Sequence, residues 1–378
     1  MSKLLIMAGG TGGHIFPGLA VAQGLRESGW SIEWLGTADK MEAQIVPQHD
    51  IRLHTIAVKG IRGNGLVRKL ALPFMLIKAI YQALKIIQQV KPNAVLGMGG
   101  YASGPGGIAA RILGIPLVLH EQNAVAGMTN RYLAKIAQRV LTGFANTPFG
   151  IAPDKITWVG NPVRSEISAI GSTTPMNESK SASTAQEVMT ILVIGGSLGA
   201  QIFNTELPNI FSSLATHIAE AEQPINTEPK ILQIIHQVGR GNETAVRNAY
   251  SIADISPLVQ LTITEFIDDM AQVLAQADVV VCRAGALTVA EISCAGRVGC
   301  FVPLPSAVDD HQTANAKTLS DHGGAILCPQ SKLSGLSKEL LQLILSPLQR
   351  QQMAQRAQQL AQPNATEKVC TIIKAIAA

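Results

Sequence analysis

Leu4-Leu5-Ile6-Met7-Ala8 runs directly into Gly9-Gly10-Thr11-Gly12-Gly13-His14, and the same order recurs where Ile191-Leu192-Val193-Ile194 runs into Gly195-Gly196-Ser197-Leu198-Gly199-Ala200. In both places an apolar run of strand length ends in clustered glycines ahead of a helix-length stretch. Glycine at such a turn lets backbone approach an anion closely, with N–H groups and the positive end of the helix aimed at it. A third cluster, Gly97-Met98-Gly99-Gly100-Tyr101-Ala102-Ser103-Gly104-Pro105-Gly106-Gly107, follows Ala94-Val95-Leu96. Any one of them reads equally well as a tight strand-to-helix turn. Together, and in both halves of the chain, they imply two nucleotide-type domains that handle phosphates.

The strict phosphate motifs do not fit. A dinucleotide fingerprint beginning at Gly10 needs glycine where Ile15 stands, and the Gly195 cluster has Ser197 at its second required glycine. No Gly-Lys pair occurs in the sequence, so the lysine of an ATP-binding P-loop is missing. NAD and ordinary NTPase chemistry are both disfavoured.

A chain of 378 residues suits two domains rather than one core. Hydrophobic residues at 47% and charged ones at 15% exclude a disordered chain, and no repeat period is visible. The net charge of +4 hides an asymmetry: residues 1–164 carry 17 Lys+Arg against 7 Asp+Glu, whereas residues 165–378 carry 13 against 19. A basic half faces either nucleic acid or an anionic membrane, and aromatics at 4% give little support for base stacking, so membrane is favoured and nucleic acid is not expected. No segment approaches the ~20 apolar residues of a spanning helix, and no signal peptide is read at the N-terminus. The five cysteines, Cys282, Cys294, Cys300, Cys328 and Cys370, include no metal-type Cys-x-x-Cys pair and are expected as reduced core thiols.

Strand-like runs near 4–8, 31–35, 94–97, 116–119 and 138–142 alternate with helical stretches, and the pattern resumes near 191–194, 231–235, 259–263, 278–282, 298–302 and 325–328. That alternation is parallel α/β winding. The expected fold is therefore two Rossmann-like, doubly wound parallel-sheet domains facing a deep cleft. The Ser/Thr-rich stretch 172–184 has little to bury and reads as a linker. The expected division is 1–165, a linker 166–188, 189–360, and a C-terminal helix 361–378 whose packing back on the first domain is left open. Helices are expected over 286–295, 336–361 and 366–377. Ligands of open parallel sheets sit outside the carboxyl ends of the strands, so both glycine loops, His120-Glu121-Gln122-Asn123, Gly160-Asn161-Pro162-Val163-Arg164, Glu265 to Asp269 and Arg283 to Glu291 are expected to face that cleft.

In this order, Gly-Gly-Thr-Gly-Gly-His at 9–14, Gly-Met-Gly-Gly-Tyr at 97–101, His-Glu-Gln-Asn at 120–123, Gly-Asn-Pro-Val-Arg at 160–164, Gly-Gly-Ser-Leu-Gly-Ala at 195–200, Ala-Leu-Thr-Val-Ala-Glu at 286–291 and Asp-His-Gln at 310–312 span nearly the whole chain. The ordered set resembles the N-acetylglucosaminyltransferases of peptidoglycan synthesis, which convert lipid I to lipid II at the inner face of the bacterial membrane. The resemblance implies the two-domain GT-B glycosyltransferase fold. It also implies that UDP-GlcNAc is held mainly by the C-terminal domain and the undecaprenyl-linked muramyl-pentapeptide, lipid I, by the N-terminal one. Matched residue by residue, it implies that Ile267 meets the uracil through its backbone, that Glu291 accepts from the ribose hydroxyls, that Ser197 meets the phosphates and that Gln312 holds the sugar. Ala286, Leu287, Thr288, Val289 and Ala290 carry over as substrate contacts with Glu291, and Thr11, Gly12, Gly13, Asn123 and Arg164 as further donor contacts from the other wall. An anionic membrane surface and other cell-wall and division proteins are the partners it suggests, with peripheral attachment to the inner membrane.

Attack of a sugar hydroxyl on an anomeric carbon needs a general base and stabilisation of the departing diphosphate. His14 stands at a helix start, where the dipole favours the neutral imidazole that accepts a proton, and it is the candidate base; donation to a phosphate is the other reading of the same position. Glu121 is held in reserve. The chain contains no Asp-x-Asp, the usual holder of a divalent ion in nucleotide-sugar enzymes, so no metal is required and a divalent cation is stimulatory at most. Glycine-loop N–H groups, with Arg164 as an aid, are expected to neutralise part of the UDP charge. Taken alone, Arg164 fits a surface arginine and Glu291 a solvated helix side chain.

The stretch 66–81 mixes apolar bulk with Arg68, Lys69 and Lys78, flanked by Arg62 and Lys85. A basic amphipathic helix of this kind docks in a lipid interface, while its broad apolar face also fits an ordinary core helix. A non-hydrolysing UDP-sugar epimerase, which shares the architecture, and a catalytically silent UDP-sugar-binding subunit of a membrane synthase are the alternative functions.

Overall fold

A computed structural model describes residues 1–58, 66–173, 188–196, 199–222, 231–254, 256 and 259–377; for 66–72, 172–173 and 222 it describes the backbone alone. The chain divides into two compact units, Met1–Arg164 with Gln362–Ala378, and Ser165–Ala361.

The first unit is built on a parallel sheet of seven strands: β1 Lys3–Ala8, β2 Ser31–Gly36, β3 Arg52–Thr55, β4 Ala94–Gly99, β5 Leu117–Glu121, β6 Arg139–Thr142 and β7 Ile156–Trp158, ordered β3-β2-β1-β4-β5-β6-β7. Both faces of β1 are buried, which is why it reads as a continuous apolar run. Leu4, Ile6 and Ala8 point to one face, where the helix Gly12–Arg26 and the C-terminal helix Ala365–Ala377 contribute Ile15, Val21, Leu25, Val369 and Ile373. Leu5 and Met7 point to the other, against Ala79, Ala83 and Ile87 of the helix Leu66–Val90, Ala109 and Ala110 of Ser103–Ile112, and Leu133 of Met128–Ala134. The strand order reverses between β1 and β4, so the turns after these two strands flank the crevice of a doubly wound sheet. Those turns hold the first and third glycine clusters.

The second unit repeats the plan with six parallel strands: β8 Val188–Ile194, β9 Ile231–Gln237, β10 Val259–Thr264, β11 Val279–Cys282, β12 Val298–Phe301 and β13 Ala325–Leu327, ordered β10-β9-β8-β11-β12-β13. Its reversal lies between β8 and β11, which end in the second glycine cluster and in Arg283-Ala284-Gly285.

Two strands escape the sequence reading, and both are edges of the seven-stranded sheet. β3 is polar and half-exposed, and β7 has three residues, so neither leaves an apolar run. The expected helix over 336–361 is two helices, Leu336–Leu345 and Pro347–Gln359, because Pro347 starts a new helix after Ser346. The linker expected from 166 begins as a helix, Ser165–Thr173, that belongs to the second unit; Ile167 and Ile170 are buried, so this part does have something to bury. The rest of the Ser/Thr-rich stretch lies outside the described residues. The C-terminal helix belongs to the first unit, with Cys370 Sγ against Gly24 and Lys374 Nζ donating to Ser28 Oγ at 2.7 Å. All five cysteines are free and buried, and burial raises the Cys370 thiol to about 11.

Candidate active site

In the first unit, the chain leaves β1 through Gly9 and Gly10 and enters the helix Gly12–Arg26 with no side-chain cap at Thr11. Thr11 and Gly13 are exposed, while Gly12 and His14 are half-buried. His14 Nδ1 lies 3.1 Å from the Gly9 carbonyl oxygen and 3.4 Å from Thr11 Oγ1. A carbonyl accepts only, so Nδ1 carries a proton, and of the two neutral tautomers this contact selects the one whose Nε2 holds the lone pair. The imidazole lies against Gly99, where a Cβ would stand 2.9 Å from Nε2. Gly100, at φ +86°, stacks on Gly9: a Cβ there would meet Gly9 N and C at 3.0 Å. Ser103, fully buried, has its hydroxyl 2.9 Å from Met7 O and 2.8 Å from Gly99 O and ties the two turns together. The first and third glycine clusters thus form one constellation around His14.

Gly10 N–H donates not outward but to Glu42 Oε2, at 2.9 Å. That amide of the first turn is therefore not presented to a ligand anion as its sequence suggests.

At the end of β5, burial lowers His120 from 6.5 to about 4, so it is neutral; its Nε2–H donates to Gly160 O at 2.9 Å and its Nδ1 accepts from Gln122 Nε2 at 3.1 Å. Glu121 is 2% exposed, and its carboxylate accepts from Asn123 N (3.1 Å), Asn123 Nδ2 (3.2 Å), Gly127 N (3.0 Å) and Asn130 Nδ2 (2.9 Å). Four donors occupy the lone pairs that a base must offer. The reserve-base expectation for Glu121 gives way to a holding role, in which it shapes the loop that presents Asn123. Asn161 Nδ2 bonds Gln122 O at 3.0 Å, and Arg164 is exposed where the first unit ends.

In the second unit, Gly199 has φ +73° and packs on the Val238 carbonyl, with Gly195 N–H donating to Gln237 Oε1 at 3.2 Å. Ser197 lies outside the described residues. Gln237 Nε2 donates to Glu265 O at 3.0 Å, fixing the loop after β10 on which Ile267 stands, buried. The helix Ala286–Cys294 starts after Gly285 with no side-chain cap. Val289 is fully buried and Ala286 nearly so; Leu287, Thr288, Ala290 and Glu291 are half-buried. Glu291 sits near Cys282, whose thiol is pushed up by burial first and by that carboxylate second.

Gln312 Oε1 accepts from Leu304 N–H at 2.9 Å. Just before it, Asp309 and Asp310 are both left-handed, at φ +52° and +49°, a conformation aspartate tolerates better than most residues. Arg283, quoted in the sequence among cleft residues, is tied into the protein: its guanidinium donates to Val302 O (3.0 Å), Pro303 O (3.1 Å) and Gln330 Oε1 (2.8 Å) and covers the Phe203 ring. Asn315, fully buried, donates from Nδ2 to Ala284 O at 3.1 Å. Sequence reasoning missed Glu42, Ser103, Asn130 and Asn315, whose partners lie far away in the chain or whose residue types carry no motif. No cluster of three or more His, Cys, Asp or Glu able to hold a metal occurs among the described residues.

Residues 4–142 match the glycosyltransferase family 28 N-terminal domain, and residues 190–369 the glycosyltransferase family 28 C-terminal domain. The chain belongs to glycosyltransferase family 28. A family relative from Shewanella loihica, named UDP-N-acetylglucosamine--N-acetylmuramyl-(pentapeptide) pyrophosphoryl-undecaprenol N-acetylglucosamine transferase, is 48% identical over 99% of this chain and 97% of its own length. A relative from Shewanella denitrificans with the same name is 45% identical, with the same coverage. Among solved structures, Acinetobacter baumannii MurG matches with a TM-score of 0.81 at 40% identity, covering 99% of this chain and 100% of that one. UDP-GlcNAc 2-epimerase from Neisseria meningitidis matches at a TM-score of 0.66 and 14% identity, covering 99% and 100% of the two chains, a likeness of fold alone.

Proposed function

We propose that the protein transfers N-acetylglucosamine from UDP-GlcNAc to the 4-hydroxyl of the muramyl sugar of undecaprenyl-pyrophosphoryl-MurNAc-pentapeptide, with inversion at the anomeric carbon, giving lipid II. The observation that carries the reading is the 45–48% identity, over 99% of the chain, to relatives bearing the name of that transferase. His14 is the base: its Nδ1 contact with Gly9 O supports a free Nε2 lone pair. The 4-hydroxyl oxygen bonds to the donor C1 as its proton passes to Nε2, and the C1–O bond to UDP breaks with its electron pair left on the diphosphate. Thr11, Gly12, Gly13, Asn123 and Arg164 contact the donor from the first unit.

In the second unit, Ile267 takes the uracil, Glu291 the ribose hydroxyls, Ser197 the phosphates and Gln312 the sugar, with the uncapped start of Ala286–Cys294 facing the departing charge. No metal is required for this chemistry, and a divalent cation is stimulatory at most; chelation with EDTA should leave most of the activity.

The enzyme sits peripherally on the cytoplasmic face of the inner membrane. What supports this is the helix Leu66–Val90, where Phe74, Leu76, Ile77 and Tyr81 are exposed beside Lys78, and Lys85 Nζ lies 4.7 Å over the Tyr81 ring. Arg62 and the side chains of Arg68 and Lys69 lie outside the description. No helix among the described residues is long and apolar enough to cross a membrane.

Labelled UDP-GlcNAc with and without a lipid I analogue tests the reading. Disaccharide formed only with acceptor supports it; conversion of the donor alone to its 2-epimer would favour the epimerase.

A further inference from the structure

Behind the first glycine turn lies a charge that the transfer reaction does not call for. Glu42, in the short helix Met41–Ile45, is fully buried. Its Oε2 accepts from Gly10 N–H at 2.9 Å, and its Oε1 from Thr37 N–H at 3.0 Å and from the Thr37 hydroxyl at 2.7 Å. A Cβ on Gly9 would stand 2.7 Å from Glu42 Cδ, so the carboxylate fills the space a side chain there would need. Burying a carboxylate costs free energy unless donors satisfy it, and an apolar residue of similar size would fill the volume without that cost.

The position of the charge suggests its use. Gly10 N–H and Gly9 C=O belong to one peptide unit, which is planar and trans, so the two groups point in opposite directions. Glu42 holds the N–H; the carbonyl at the other end meets His14 Nδ1 at 3.1 Å. The plane between them is backed by Gly100, stacked on Gly9. A carboxylate thus reaches the imidazole through a single peptide plane, and hydrogen bonds in such a chain polarise one another in the same direction.

We propose that Glu42 is a positioning residue for His14: by anchoring Gly10 N–H it aims the Gly9 carbonyl at Nδ1, fixes the Nδ1–H tautomer and so reserves Nε2 for the acceptor hydroxyl. The inference rests on His14 being the base.

Glu42→Gln keeps size and shape but offers one oxygen where two faced donors, so either Gly10 or Thr37 meets an NH2. Its kcat should fall on the order of 10²-fold, the typical cost of a misplaced catalytic group, with KM for UDP-GlcNAc within about two-fold. In a His14→Ala background the same substitution should cost no more than about two-fold, because residues acting as one unit are not additive. Histidine 15N spectra should show the Nδ1–H form of His14 in the parent and a mixture of tautomers in Glu42→Gln. An equal loss in both backgrounds, an unchanged tautomer in Glu42→Gln, or an Nε2–H parent overturns the proposal, the last without any variant needing to fold. If His14→Ala turns over like the parent, the base assignment fails and takes this inference with it; a crippled His14→Ala whose loss multiplies with that of Glu42→Gln removes the role of Glu42 alone.

Discussion

At the scale of single residues, the account turns on which nitrogen and which oxygen are free. His14→Ala should lower turnover by ~10²- to 10⁴-fold while UDP affinity stays within a few fold, since a general base acts in the transition state. Near-parental turnover, read by steady-state kinetics, would pass the role to another group. Glu291→Ala should weaken UDP binding by roughly 1.5–3 kcal/mol through loss of a charge-assisted acceptor for the ribose, as calorimetry can measure; unchanged affinity would return Glu291 to a packing role. Buried histidines give a pH signature. Burial lowers both His120 and His236 from 6.5 to about 4. Between those values the unfolded chain binds protons that the folded chain does not, so stability is greatest above about pH 6.5, declines as pH falls and levels off below about pH 4. At about 1.4 kcal/mol per pH unit each histidine accounts for up to roughly 3 kcal/mol, and a melting temperature flat from pH 7 to 4.5 would contradict it. The motif residues were legible in the sequence because glycine, histidine and turn residues cluster locally. Glu42 was not, since nothing in Lys40-Met41-Glu42-Ala43 shows that its carboxylate reaches a turn 32 residues earlier.

At the scale of elements, a strand is legible where it carries an apolar run, at an edge or not. All six strands of the second unit, the edges β10 and β13 included, and the five inner strands of the first coincide with apolar runs, whereas β3 is polar and β7 has three residues ending in the exposed Trp158. The C-terminal helix reads as amphipathic from sequence alone, but which unit it covers is settled by contacts across the whole chain length: Val369 and Ile373 are fully buried in the core that contains β1. Ile373→Ala should therefore destabilise the first unit by about 2–5 kcal/mol, the usual cost of deleting a buried isoleucine side chain. Denaturant unfolding followed with a probe in each unit checks this; a loss confined to the second unit would show the helix to be misassigned.

At the scale of the whole molecule, the first half is basic and the second acidic, so attraction to an anionic membrane is expected of the first half. Replacing Arg68, Lys69 and Lys78 with Gln should weaken binding to anionic vesicles by at most ~3 kcal/mol, at about 1 kcal/mol per cation. Added salt should mimic this in the parent, since exposed charges are screened beyond ~8 Å at physiological ionic strength. Sedimentation indistinguishable from the parent at every salt concentration would place the docking surface elsewhere. The glycine clusters made two doubly wound domains legible, because a turn after a buried strand is a local event; that the helix after Arg164 belongs to the second unit was not, because it is held by residues far along the chain, Gln358 Nε2 donating to Gly171 O at 2.7 Å. The central claim is the reaction itself. Purified protein incubated with labelled UDP-GlcNAc and a lipid I analogue should yield UDP and a β-1,4-linked GlcNAc–MurNAc product, identified by mass and by the anomeric coupling of the new linkage; label that stays in the nucleotide sugar, or an α-linked product, would contradict the account.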